Sequence, residues 1–193
     1  MSFISEIKYY AGNYFLKRKI TTIKRNRKMV NIDSAGSVGI LFELTDENTY
    51  RHVHMYLQEL QGKKVKTKAL GYTDDKLLTK KFLPVLSFDL FTRKHLNWFN
   101  IPHASFISDF TDTEFDVCIN LASENVFPLK YIAAMSRARL RAGSYHNDES
   151  GLKKGDLTGI YDVLFKTGEM HDQVKLLDDI HEYLLILNPR ENE

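Results

Sequence analysis

The chain is poor in the residues from which several large protein classes are built. Its 193 residues contain one cysteine, Cys118. That excludes a disulfide scaffold and a cysteine-based zinc site. Four prolines and ten glycines are too few for a disordered or fibrous protein. No apolar run reaches the roughly 18 residues of a membrane-crossing helix. The start of the chain lacks the apolar segment of a secretory signal, so the cytoplasm is the expected compartment. What remains is 43% hydrophobic, 27% charged and 12% aromatic. This is the profile of one globular domain, long enough to bury roughly 70% of its unfolded surface.

The common catalytic signatures are missing too. No GxGxxG or GxxxxGK[ST] phosphate loop occurs, and no GxSxG nucleophile elbow. Gly36-Ser37-Val38-Gly39 precedes the first apolar run and reads as a turn. His52 and His54 stand two apart, so on a helix they point in different directions and cannot form an i, i+4 metal pair. Cys118 lies between Val117 and Ile119 and reads as a small buried hydrophobe. The sequence assigns no metal and no cofactor.

Charge is unevenly placed. Residues 1–28 carry Lys8, Lys17, Arg18, Lys19, Lys24, Arg25, Arg27 and Lys28 against one acid, Glu6. That segment is +7 in a chain of net +2, so the remainder is acidic, at −5. A cationic arm on an acidic body points to a polyanion. Lys17, Arg18, Lys19, Lys24, Arg25, Arg27 and Lys28 are the candidate RNA-binding residues, with counterion release as the driving term. Tyr9, Tyr10, Tyr14 and Phe15 lie among them and suit stacking on bases. Two other uses compete. One is an in-plane membrane helix burying Phe3, Ile4, Ile7, Phe15 and Leu16. The other is a cationic helix docked on its own domain.

Hydrophobic spacing organises the chain into residues 1–35, a basic amphipathic arm, and 36–193, a single α/β domain. Phe3, Ile7, Tyr10 and Tyr14 share one helical face, and Leu16, Ile20 and Ile23 continue on a rotated one. Residues 3–28 therefore read as one helix or two, with Gly12 as the bend. Strands are expected at 37–44, 65–70, 116–122, 140–143 and 161–166. Helices are expected at about 46–62, 104–110, 125–137 and 171–187, the last stopped by Asn188-Pro189. Residues 76–103 give no clear reading, although Trp98, Phe91 and Phe99 read as core. Alternating strands and helices predict a three-layer Rossmann-like or flavodoxin-like domain with about five mostly parallel strands.

In such a sheet, ligands sit beyond the carboxyl ends of the strands. Thr45, Asp46, Glu47, Asn120, Ser123, Glu124 and Asn125 would line that crest, with Gly71 to Asp75 and Gly143 to Glu149 beside them. This is the alternative site, for a nucleotide, another small ligand or a hard cation. Ordinary helix caps and solvated loops account for the same residues. The acids at the first strand-to-helix turn oppose a pyrophosphate.

Two resemblances follow from particular stretches. Phe115-Asp116-Val117-Cys118-Ile119-Asn120-Leu121, then Pro128-Leu129-Lys130-Tyr131-Ile132, then Ser136-Arg137-Ala138-Arg139-Leu140-Arg141-Ala142-Gly143 resemble an uncharacterised family of small Bacteroidetes proteins. There a basic N-terminal helix precedes one α/β domain, and no activity is implied. The same stretch is faintly similar to the N-terminal half of heptosyltransferase-like glycosyltransferases. Here Asn120 stands where an acid is expected, and the second nucleotide-sugar domain of those enzymes has no counterpart. The resemblance implies a Rossmann-like fold and makes a degenerate glycosyltransferase-like enzyme the alternative to a non-enzymatic, cytoplasmic adaptor that grips RNA or a ribonucleoprotein.

Overall fold

The protein is described by a computed structural model covering residues 3–74, 88–123, 125–146, 159–168 and 171–187. A helix, α1 (Phe3–Ile20), leads into an extended segment and a short 3-10 turn at Ile32–Ser34. Then follow β1 (Ser37–Glu43), α2 (Glu47–Gly62), β2 (Lys66–Tyr72), β3 (Phe88–Phe91), α3 (Ser105–Asp112), β4 (Val117–Asn120), α4 (Phe127–Met135), β5 (Leu140–His146), β6 (Val163–Thr167) and α5 (Gln173–Ile186). The six strands lie in the order β3-β2-β1-β4-β5-β6, and every neighbouring pair is parallel. Ser37 stands opposite Lys66 and Val38 opposite Val117, so β1 is central.

Parallel strands are buried on both faces, which explains their nearly unbroken apolar runs. Val38, Ile40, Phe42, Val117, Ile119, Leu140 and Ala142 meet Val53, Leu57 and Leu60 of α2 and Leu177, Ile180 and Leu184 of α5. On the opposite face Leu41, Leu70 and Cys118 meet α3 and α4 through Ile107, Phe110, Leu129 and Ile132. Leu16 of α1 belongs to this second cluster. The result is a three-layer α/β sandwich of the Rossmann type.

The sheet has six strands where about five were expected. The additional one is β3, four residues long, in the aromatic stretch that carried no clear period. Its pairing with β2, Ala69 opposite Phe88, is what makes it a strand. Phe91 is buried in it, whereas Trp98 stands exposed, so the aromatic trio does not form one core. Gly39, read as part of a turn, lies inside β1, and Gly71, placed at the crest beyond the strand, lies inside β2. The stop signal at 188–189, the first part of the 76–103 stretch, and Asp75 and residues 147–149 of the crest fall outside the described residues.

The basic arm differs most from a helix over 3–28. Helix α1 ends at Ile20, where Thr21 and Thr22 Oγ1 donate to Arg18 O and Lys19 O at 2.9 and 2.7 Å. Such local bonds compete with helix continuation. Lys24 to Lys28 are therefore extended, and their charges do not ring a helix. Gly12 does not bend α1. It is the point of closest approach: a Cβ there would stand 2.8 Å from the Phe127 ring and 2.9 Å from Phe99 O. Beside it, Lys130 Nζ donates to Asn13 Oδ1 at 3.1 Å, and one turn on Leu16 is only 3% exposed.

Gly12→Ala should therefore loosen α1 although alanine is the better helix former. A backbone carbonyl cannot move aside as a side chain can, and overpacking of this kind costs about 1–3 kcal/mol. Urea denaturation checks this: the midpoint should fall in Gly12→Ala and stay near wild type in Gly62→Ala, where a Cβ meets nothing within 4 Å.

Candidate polyanion-binding face

After α1 the chain passes from one side of the sheet to the other. Ile23 packs against the cluster under α3 and α4, while Val30 and Ile32 belong to the cluster under α2 and α5. The crossing runs beneath the amino-terminal ends of the strands. Lys28 N donates to Arg139 O at 3.2 Å, just before β5. Asp116, just before β4, accepts from the Gly36 and Ser37 amides at 2.8 and 3.1 Å and pairs with Arg139 at 3.0 Å.

One carboxylate organises the crossing. Asp162, just before β6, takes a bidentate pair from Arg25, with Nη1 to Oδ2 at 2.6 Å and Nη2 to Oδ1 at 2.7 Å. Arg27 Nε and Nη2 reach Oδ1 at 2.8 and 2.5 Å, and the Arg141 amide donates to Oδ2 at 2.9 Å. The Arg25 and Asp162 side chains are 6% and 8% exposed. Burial alone would raise the Asp162 pKa. Hydrogen bonds from Arg25, the Arg141 amide and Arg27, with the Arg25 charge, outweigh it and hold the pKa below 3.8.

The seven candidate cations thus divide. Arg25 is internal, and Arg27 shares its carboxylate. Lys17, Arg18, Lys19, Lys24 and Lys28 are exposed on α1 and the crossing. Lys19 stands 6.0 Å from the Tyr131 ring centroid and lines a 370 Å³ groove between the arm and α3 and α4, with Arg137 on its far wall. Arg137 and Arg139, which the charge count passed over, add to this edge.

Helix α1 presents an unexpected face outwards. Gly12 and Leu16 face the domain, so Ile7, Tyr10 and Tyr14 face solvent, with Tyr10 72% and Tyr14 58% exposed. Arg18 lies 5.9 Å from the Tyr14 ring centroid and Lys8 lies 5.3 Å from that of Trp98, which is 55% exposed. Phe15 packs edge-on against Phe99, and Phe99 against Trp98, at 5.1 and 5.0 Å. Arg18 and Tyr14 thus lie on the solvent side of α1, and Lys8 and Trp98 on a separate side, where Phe15 meets Phe99.

The crest at the opposite end is engaged in the fold's own bonds. Asp46 caps α2, accepting from Thr49 N at 2.8 Å, and Thr45 Oγ1 donates to Asp46 at 2.9 Å. The Thr49 amide is the main cause of the lowered Asp46 pKa. Asn120 is buried; its Nδ2 donates to Tyr161 Oη at 2.6 Å and its Oδ1 accepts from Ala122 N at 3.2 Å. Tyr161 lies against Gly143, where a Cβ would meet its ring at 2.5 Å. Between β1 and β4, where the strand order reverses, Gln173 bonds both Glu43 N and Glu43 O at 2.8 Å. His171 Nε2 donates to Leu121 O at 2.6 Å. Glu47 and Asn125 are exposed, Ser123 is half-buried, and Glu124 lies outside the described residues.

The remaining chemistry is sparse. Burial pushes the Cys118 thiol up to about 11, so it stays protonated at neutral pH. His52 pairs with Asp178 at 3.1 Å, and His54 stacks on Tyr50. Among the described residues no group of three or more His, Cys, Asp or Glu could hold a metal, and no helix is long and apolar enough to cross a membrane.

These features define a doubly wound α/β domain with a basic, aromatic outer face and a second basic edge beneath its strands. The chain belongs to a family of unknown function, DUF6913, whose profile matches residues 8–187. The match takes in most of α1 along with the sheet. No curated protein matches the chain.

Replacing Asp162 by Asn should strand the Arg25 charge in a nearly closed site, which costs about 3–5 kcal/mol. The depressed pKa gives the sign of the pH effect. The carboxylate stabilises the fold fully above its unfolded pKa, about 3.9, and that contribution is lost as pH falls through the lower folded value. Urea midpoints at pH 7 should therefore differ widely between wild type and Asp162→Asn and converge in strong acid.

Proposed function

We propose that the protein is a non-enzymatic, cytoplasmic adaptor that binds single-stranded RNA, free or within a ribonucleoprotein, through the outer face of α1. One observation carries this reading: Tyr10, Tyr14 and Trp98 are exposed, with Arg18 beside the Tyr14 ring and Lys8 beside that of Trp98. A base stacked on an aromatic side chain contributes about 1–3 kcal/mol with little regard to sequence. Cations beside the rings meet the phosphates and release counterions. Lys17, Lys19, Lys24 and Lys28 extend the charge towards the edge beneath the strands. An in-plane membrane helix would need Leu16, which is committed to the domain's own core. Phe15 is turned towards Phe99.

Fluorescence anisotropy with a 5′-hydroxyl oligoribonucleotide tests the reading. Tyr10→Ala, Tyr14→Ala and Trp98→Ala should each weaken binding about fivefold or more. Changing Lys17, Arg18, Lys19, Lys24 and Lys28 together to Gln should flatten the salt dependence by about 0.7 in log–log slope per lost phosphate contact. Arg25 and Arg27 stay unchanged because they hold Asp162. Unaltered affinity in both sets would overturn the assignment. Flotation of the wild type with anionic liposomes but no RNA binding would do so in favour of a membrane surface.

A further inference from the structure

Where α1 gives way to the extended crossing, a pocket of 390 Å³ opens beneath β5. Lys24, Arg25, Arg27 and Arg141 line it, with Ile20 and Ile23 as its apolar wall. The four cations come from two distant parts of the chain, so the fold brings them together and sequence proximity accounts only for three of them. Asp162 is the carboxylate hydrogen-bonded to this group. Among the described residues, four positive charges stand against that one negative charge, an excess of about three around a small volume. Such a concentration of like charge is costly unless an anion enters.

Arg141 makes the imbalance specific. It is 1% exposed and points from β5 into the layer beneath α4. Its Nη1 donates to Ile160 O at 3.2 Å and its Nη2 to Ser136 O, both neutral carbonyls. Its Nε has no hydrogen-bond partner among the described residues. Burial, reinforced by the nearby Arg25 charge, presses its pKa down to about 10, so it remains a cation at neutral pH. A buried guanidinium without its own carboxylate is rare, and a buried donor without an acceptor is costly. Arg25 has its terminal nitrogens committed to Asp162 and backbone carbonyls. Lys24 is exposed at the mouth and Arg27 is largely so.

We infer that this pocket binds a phosphate group, with Lys24 and Arg27 closing on its oxygens at the mouth and the Arg141 guanidinium supplying charge from behind. A phosphate carries up to two negative charges and several acceptor oxygens, which suits both the excess charge and the unused donors. The group could reach the pocket on a small phosphorylated solute or at the end of a nucleic acid strand. The inference stands apart from RNA binding by the outer face of α1: Lys24 aside, it uses different residues, and it takes a different ligand group.

The first measurement is thermal unfolding in inorganic phosphate against chloride at matched ionic strength. Phosphate at about ten times its dissociation constant should raise Tm by about 3–6 °C. Lys24→Gln combined with Arg27→Gln should remove most of that rise while the protein stays folded, since both side chains stand at the surface and Asp162 keeps its bidentate pair with Arg25. Arg141→Lys keeps the charge but loses the planar fork, and should weaken phosphate at least tenfold. If that variant fails to fold, the Lys24 and Arg27 pair decides alone. A second arm separates the sources. A 5′-phosphorylated oligoribonucleotide that displaces phosphate when its 5′-hydroxyl twin does not identifies a strand end. Equal, weak competition by both identifies a small solute. No phosphate-specific rise, or the same rise in the Lys24 and Arg27 variant, overturns the inference, whatever the 5′-hydroxyl oligomer does on α1.

Discussion

The arrangement of the N-terminal third depends on Asp162. A segment carrying Lys24, Arg25, Arg27 and Lys28 would ordinarily stay in water, because each charge loses hydration on approaching the domain. One carboxylate at the foot of β6 reverses that for Arg25 by meeting it in two parallel hydrogen bonds and accepting from Arg27 and the Arg141 amide as well. With Arg25 fixed, the chain must cross beneath the sheet. It therefore delivers Ile23 to one hydrophobic layer and Val30 and Ile32 to the other. The arm belongs to the domain in an energetic sense, since both layers lose apolar contacts if the crossing is released.

The same pinning moves the chemistry of the molecule away from the usual place. Doubly wound sheets bind ligands beyond the carboxyl ends of their strands, at the point where strand order reverses. Here Gln173 continues the hydrogen bonding of β1 there, His171 takes the Leu121 carbonyl, and Tyr161 covers Asn120. Charge accumulates instead at the amino-terminal end and along α1, where the eight basic residues of the first 28 are joined by Arg137, Arg139 and Arg141 from far along the chain. Among the described residues the two ends differ in physical character: one engages Asn120, Gln173 and His171 in the fold's own bonds, the other holds more cations than carboxylates.

Much of the fold was legible in the sequence because parallel strands advertise themselves. Val38 to Phe42 and Val117 to Ile119 are apolar without interruption, and α5 repeats its apolar residues at three- and four-residue steps. A cap at Thr45 or Asp46 was legible because an N-cap needs only its own next three residues, and the structure makes it Asp46. β3 was not, since four residues carry too little periodicity and Phe91 could belong to any buried segment. The end of α1 at Ile20 was missed because the threonine hydroxyls that turn it compete with a favourable helical pattern. On α1 the conspicuous stripe of Ile7, Tyr10 and Tyr14 faces solvent, while Leu16, less conspicuous in sequence, faces the core. Periodicity identifies faces, and it does not say which face meets a partner.

The cationic residues themselves were evident by counting, and counting could not divide them. Sequence alone determined the α/β class, the approximate strands and helices, and the concentration of positive charge before residue 28, because each follows from local spacing and composition. The tertiary structure decided which charges are internal and which are exposed. It brought Arg141 and Asp162, more than a hundred residues away, beside Arg25, and it turned the aromatic stripe of α1 outwards. These are long-range outcomes: a salt bridge, a pocket and an exposed face exist only once distant segments share one small volume, and no local pattern records that meeting.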